Sequence, residues 1–172
     1  ICDECPSTIE NPVRKIEDFT ALFPKESPSR DINFLTPREI DFILSKAKES
    51  QSELLYPFIK LLAFTGMRRS EAWNLMWKDV DVEGGFIHVR KSKNRKSRSI
   101  PLEPEALNAI ELLRGRSEFI FVQRDGTRIR MEAFSLAFRR LAKRLMIEKR
   151  IDIHTFRHSY GSNKIRQGWG LK

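Results

Sequence analysis

Thr65-Gly66-Met67-Arg68-Arg69-Ser70-Glu71 is the stretch around which the rest of the chain can be read. Before it, Leu55, Phe58, Ile59 and Leu62 recur at helical spacing, so a helix over about 52–64 buries one face. Gly66 suits a left-handed C-terminal cap for that helix. Arg68 then stands at the start of a second helix, over about 69–77, where unpaired backbone N–H groups favour an anion. Glu71 lies one turn further on and is placed to orient the guanidinium. Taken alone, this is either an anion site or an ordinary surface Arg–Glu pair, worth about 0–1 kcal/mol.

Outward from this junction the pattern is α+β and mainly helical. Thr36-Pro37-Arg38-Glu39 has the form of a capping box with Pro at the first helical position. Ile40, Ile43, Leu44 and Ala47 follow as one apolar stripe. Residues 1–33 carry Pro6, Pro12, Pro24 and Pro28 without a sustained period and read as a linker, with a domain boundary near Phe34. Downstream, Val80–Val82 and Phe86–Val89 flank Gly84-Gly85 as a hairpin. Ser99, Ile100 and Leu102 make a third short strand, and Leu107, Ile110 and Leu113 mark a helix. Phe119–Val122 reads as a short apolar strand. Residues 131–146 form a basic amphipathic helix with Phe134, Phe138, Leu141 and Leu145 on one face. A last helix is expected near Thr155. The expectation is a compact helical domain with a small three-stranded antiparallel sheet.

The 172 residues carry 32 Lys+Arg against 23 Asp+Glu, a net charge of +9. The two halves differ sharply: residues 1–85 hold 11 basic and 15 acidic side chains, residues 86–172 hold 21 and 8. Such asymmetry points to a polyanion meeting one part of the surface, with nucleic acid the leading candidate. About 40% of residues are hydrophobic, enough for a core, and no run approaches the roughly 18 apolar residues needed to cross a bilayer. No basic-then-apolar leader opens the chain, and its start at Ile1 reads as a fragment. Two cysteines make no disulfide framework, so a reducing cytoplasm is expected. Cys2 and Cys5 form a lone Cys-x-x-Cys with no second pair, so no metal site is expected.

Two further stretches can carry chemistry. Lys91 to Arg98 holds five basic residues in eight, suited either to a phosphate backbone or to guarding a sheet edge. His154 and Arg157 share one helical face and pair a titratable proton carrier with a bidentate phosphate clamp. The bland alternative is a capping His beside a surface Arg.

Together and in order, the three stretches resemble the tyrosine recombinase (phage integrase) family. Thr65 to Glu71 matches its Thr-Gly-x-Arg-x-x-Glu box, and Lys93-Asn94-Arg95-Lys96-Ser97-Arg98-Ser99-Ile100-Pro101-Leu102 matches its β-hairpin pattern closely. His154 to Ser159 matches the His-x-x-Arg box, including the His and the Ser or Thr that usually come after it. Leu75, Trp77 and Asp79 fall where the family has a Leu-x-Trp-x-Asp run. The resemblance covers about residues 34–172. It implies a catalytic domain over 34–172, with 1–33 the tail and linker of a core-binding domain. It further implies strand cleavage through a 3′-phosphotyrosyl bond, with Arg68 and Arg157 on the phosphoryl oxygens. Lys93 would be the general acid, His154 the aid to proton transfer or phosphate binding, and Glu71 the support of Arg68. Lys91, Arg95, Lys96 and Arg98 would contact DNA. The implied partners are double-stranded DNA and further copies of the chain as a tetramer, with no cofactor and no membrane. The implied setting is a bacterial or phage-encoded protein acting in the cytoplasm at the nucleoid.

The family's nucleophilic Tyr lies beyond the His-x-x-Arg helix, whereas the sequence ends 15 residues after Arg157. Tyr56 and Tyr160 are the only tyrosines, and both read as packing residues, so the domain is expected to be truncated before its nucleophile. Trp169 stands too close to Arg157 to be the family's late indole. A non-catalytic DNA-binding remnant or accessory factor of a mobile element is the alternative. An RNA-binding sheet would need exposed aromatics, whereas Phe86, Val89 and Ile100 read as core.

Overall fold

The computed structural model describes residues 34–90, 97–145 and 151–168. The expected linker over 1–33, the Cys2–Cys5 pair, Lys91, Lys93, Arg95, Lys96 and Trp169 lie outside the described residues.

Helix α1, Pro37–Lys48, opens as its capping box requires: Glu39 N–H donates to Thr36 Oγ1 at 3.3 Å, and Thr36 N–H donates to Glu39 Oε2 at 2.7 Å. Its buried face is Ile40, Ile43, Leu44 and Ala47, the stripe read from the spacing. Helix α2, Leu55–Thr65, is apolar almost all round and sits centrally. It packs against α1, against α3 (Arg69–Trp73) and α4 (Pro104–Glu111), and against α5 (Met131–Arg144) and α6 (Ile153–Arg166). Phe58 on α2 is the aromatic hub. Its ring meets Trp73 at 5.5 Å, Phe121 at 4.9 Å and Phe134 at 4.6 Å, all edge to face.

The sheet has the expected size and sense. Strands β1 (Val80–Asp81), β2 (Phe86–Val89) and β3 (Arg98–Pro101) pair antiparallel in the order β1-β2-β3. Ile87 pairs with Ile100 on the buried face, and Val89 pairs with Arg98. Phe86 departs from its reading as core. The period of two turns it outward opposite Pro101, 41% exposed, while Ile87 and Val89 face in.

Two other expectations change. The third helix stops at Trp73 and does not reach Trp77. Asn74 Nδ2 bonds back to Ser70 O at 2.9 Å, and the next residues find other partners. Ile120 N–H donates to Leu75 O at 3.1 Å and Trp77 N–H to Glu118 O at 3.0 Å. Those bonds tie the chain after α3 to residues 118–120. The stretch Phe119–Val122 is therefore no sheet strand; it makes one bridge, Phe119 to Met76, and buries Ile120, Phe121 and Val122.

Helix α6 starts at Ile153, earlier than Thr155, because Asp152 caps it. Thr155 N–H donates to Asp152 Oδ1 at 2.9 Å, and Asp152 N–H to Thr155 Oγ1 at 3.0 Å. The helix docks partly through polar bonds. Leu35 N–H donates to Ser159 Oγ at 2.7 Å, and Asn163 Nδ2 donates to Leu35 O at 3.2 Å. Both backbone groups of Leu35, itself fully buried, are thus satisfied by one face of α6. Among the described residues, no helix is long and apolar enough to cross a membrane.

Candidate functional site: an arginine cluster around Gly66 and Glu71

The site is built where α2 hands over to α3. Gly66 ends α2 in the left-handed region, φ 60°, and its N–H donates to Leu62 O at 3.0 Å. Thr65 Oγ1 closes the turn, donating to Leu61 O at 2.6 Å. Gly66 must be Gly for a second reason: a Cβ built there would stand 2.4 Å from Cδ1 of Tyr160. The Gly66 carbonyl faces α6 and accepts from Arg157 Nη1. The first and third sequence boxes therefore meet at one peptide group.

Arg68 caps α3 from an extended conformation. Its N–H donates to Glu71 Oε2 at 2.9 Å and its Nη1 to Glu71 Oε1 at 3.0 Å. Glu71 has a second cationic partner. Arg98 Nη1 donates to Oε1 at 3.0 Å and Arg98 Nη2 to Oε2 at 2.6 Å. The Glu71 side chain is only 6% exposed. Burial alone would raise its pKa; the bonds from Arg98 and Arg68 outweigh that and hold it at about 2. Arg157 responds oppositely. Burial, then repulsion from Arg68 and Arg98, lowers it from the ordinary guanidinium value, with Glu71 acting against that shift. The three guanidinium groups thus lie within electrostatic reach of one another around one carboxylate.

Helix α3 has only five residues, so its dipole is small and the cluster's positive field comes from side chains. Among the described residues, Arg68 bonds through Nη1 alone of its guanidinium nitrogens, and Arg157 through its own Nη1. The remaining N–H groups supply the donors a phosphate needs. His154 is exposed in the first turn of α6, one turn before Arg157. A groove of about 680 Å³ runs from Met67, Arg68 and Glu71 past Lys78 to His88 and Arg90 on β2 and just beyond it.

The structure brings Arg68, Glu71, Arg98 and Arg157 together and sets His154 on the face of Arg157. Of the expected DNA contacts, Arg98 alone is described, and both its terminal nitrogens go to Glu71. Sequence spacing missed that bond, although a signal was present: Arg98 stands two residues before buried Ile100 and so on the same strand face. The Gly66 carbonyl as an anchor for Arg157 had no sequence signal.

The sequence model of the phage integrase family matches residues 33–172. The chain belongs to the phage integrase family. Among curated relatives, a tyrosine recombinase of Pseudothermotoga lettingae is 29% identical over 171 residues, covering 95% of this chain and 55% of the relative. A probable integrase/recombinase of Methanocaldococcus jannaschii is 31% identical over 147 residues, covering 75% and 44%. The chain spans about half the length of the curated relatives it matches. Among solved structures, that of XerA recombinase superposes with a TM-score of 0.69 at 25% identity, covering 88% of this chain and 55% of that one. A chain from the structure of a lambda integrase tetramer bound to a Holliday junction is also similar in fold, with a TM-score of 0.65 at 20% identity over 78% of this chain and 43% of that one. The mainly helical architecture with its three-stranded antiparallel sheet and the superposition on XerA recombinase bear out the fold that the resemblance implies.

Proposed function

We propose that this chain is the catalytic domain of a tyrosine recombinase that cuts and rejoins double-stranded DNA through a 3′-phosphotyrosyl intermediate. The observation that carries the reading is the meeting of Arg68 and Arg157 at the Gly66 turn, 89 residues apart in the sequence and each with guanidinium N–H groups available. Two preorganised guanidinium groups stabilise charge as it grows on the non-bridging phosphoryl oxygens. A tyrosine oxygen forms the new bond to phosphorus while the 5′ oxygen leaves. Lys93 delivers a proton to that leaving oxygen, and His154 takes the tyrosine's proton or holds the phosphate. Lys91, Arg95 and Lys96 hold the DNA backbone.

Neither tyrosine of the chain is the nucleophile in this reading. Tyr56 Oη accepts from Lys60 Nζ at 3.3 Å on α2. The Tyr160 ring is wedged against Gly66, and burial raises its hydroxyl pKa, which opposes nucleophilic activation. The attacking tyrosine comes from protein outside these 172 residues, and the full protein works as a tetramer on its sites, in the cytoplasm. Residues 1–33 serve as the tail and linker of a core-binding domain.

Fluorescence anisotropy of a labelled duplex across a salt series tests the reading. Affinity should fall steeply with salt, because each neutralised phosphate contributes about −0.9 to the log–log slope. Salt-independent binding would refute it. A nicked suicide duplex should give no covalent adduct with this chain. An adduct that disappears in Tyr160→Phe would overturn the nucleophile assignment.

A further inference from the structure

Four hydrogen bonds converge on the two oxygens of Glu71, two from each arginine, and they are not equivalent. Arg98 grips the carboxylate with both terminal nitrogens, one on each oxygen, at 3.0 and 2.6 Å. Arg68 reaches it with a single guanidinium nitrogen, at 3.0 Å, and adds its backbone N–H at 2.9 Å. A two-pronged fork is the stronger and more directional way for arginine to hold a carboxylate. Here that geometry belongs to the strand arginine and not to the one in the Thr-Gly-x-Arg box.

We propose that Arg98 is a positioning residue for the phosphate site: by holding Glu71 in a fork, it keeps the carboxylate from closing a fork on Arg68. Arg68 therefore retains N–H groups and net charge for a DNA phosphate. The inference rests on the recombinase reading above for the identity of the anion. Its physical content is local. One arginine paired with one carboxylate is neutral and offers a phosphate little. Two arginines sharing that carboxylate leave one positive charge, and Arg157 beside them adds a second. Arg98 also ties β3 to the start of α3, because its partner Glu71 accepts from the Arg68 backbone. The alternative for Arg98 is direct contact with a DNA phosphate, as its place in a basic run suggests. The structure favours the positioning role because Arg98 is half-buried and its two terminal nitrogens are already engaged.

A double-mutant cycle separates the two roles. Arg98→Met, Glu71→Gln and the double variant are compared for binding a labelled duplex over a salt series. With Glu71 present, Arg98→Met should weaken binding roughly tenfold at low salt and lower the salt slope by about one, because Glu71 then captures Arg68. In the Glu71→Gln background the same substitution should change affinity less than about twofold. An equal loss in both backgrounds makes Arg98 a direct contact and overturns the proposal. No loss in either also overturns it.

A second measurement does not depend on DNA. The groups facing Glu71 are Arg68, Arg98 and Arg157, with Lys78, Asp79, His88 and Arg90 across the groove, Asp79 being paired with Arg90. Carbon-13 NMR of the Glu71 carboxylate should show its titration rising in Arg98→Met from about 2 toward the ordinary 4.5. An unmoved titration means Arg98 does not govern Glu71, and the proposal falls. A parent chain that binds no duplex refutes the recombinase reading, while the titration still decides whether Arg98 controls Glu71.

Discussion

The backbone carbonyl of Gly66 accepts a hydrogen bond from the Arg157 guanidinium across 91 residues of sequence. One glycine thus serves three purposes. It ends α2, it starts the approach to Arg68, and it orients the arginine that α6 contributes. Tyr160, one turn after Arg157 on α6, covers the same glycine.

Gly66→Ala should therefore be costly on two counts. Alanine resists φ 60° by about 1 kcal/mol, and its Cβ would meet the Tyr160 ring at 2.4 Å. Overpacking of this kind adds about 1–3 kcal/mol. The melting temperature should fall by several degrees. In Gly66→Ala/Tyr160→Leu much of that loss should return. If the single variant melts like the parent, the close approach is not a constraint.

Arg68→Ala should leave folding almost intact but remove a phosphate donor. In the tyrosine-containing full protein it should slow strand cleavage roughly 10²–10³-fold, about 2.7–4 kcal/mol. Duplex affinity should change far less, since many other Lys and Arg hold the backbone. Arg68→Lys should also be impaired, because an ammonium lacks the planar fork. Cleavage within a few-fold of the parent would make Arg68 an ordinary surface residue. A collapse in melting temperature would make the Arg68–Glu71 pair structural.

Glu71 gives the fold an acid limit. Its carboxyl sits at about 2 when folded against an ordinary 4.5. A depressed carboxyl stabilises the native state above the unfolded value. That contribution is whole above about pH 4.5 and is lost as pH falls toward 2, at most about 3 kcal/mol. Glu53, Glu111 and Asp125 shift in the same direction, so acid unfolding of the parent alone does not isolate Glu71. Glu71→Gln does. The gap in melting temperature between parent and variant should be widest near neutral pH and narrow steadily from pH 4.5 to about 2. A constant gap would show that another group titrates.

Ser159→Ala should cost about 1–3 kcal/mol, since it leaves the buried Leu35 N–H without its acceptor. Hydrogen exchange at the Leu35 amide should quicken in step. Unchanged exchange would mean the amide finds another partner.

Much of this was legible in the sequence, and the misses have physical causes. The α1 stripe and its capping box involve residues three and four apart, so local spacing suffices. The Gly66 turn, the hairpin around Gly84-Gly85 and the α5 face are local in the same sense. The end of α3 was not legible, because Leu75 and Trp77 bond to residues 118–120, which no local pattern shows. Phe119–Val122 reads as a strand because it is a short apolar run, but its chain bends at Ile120 and Phe121, Val122 N–H donates back to Ile120 O, and it makes the single bridge Phe119–Met76. In the site, the identities of Arg68, Glu71, His154 and Arg157 could be read from the boxes. Which arginine grips Glu71, and which carbonyl holds Arg157, depends on tertiary placement. Asp152 as the cap of α6 was within reach of sequence reasoning, since Asp152 and Thr155 stand at capping-box spacing.

The polar staple between Leu35 and α6 sets an order of events during folding. Leu35 is held by Ser159 and Asn163, 124 and 128 residues later. A ribosome must therefore deliver the chain through Asn163 before the segment leading into α1 can be locked in place. The guanidinium of Arg157 arrives on that same late helix. The proposed phosphate clamp consequently cannot form before α6 is made, and nascent chains carry Arg68 and Glu71 without it. Closing so long a loop is slow. Until it closes, the basic half of the chain is exposed to nucleic acid without the paired arginines that would act on it.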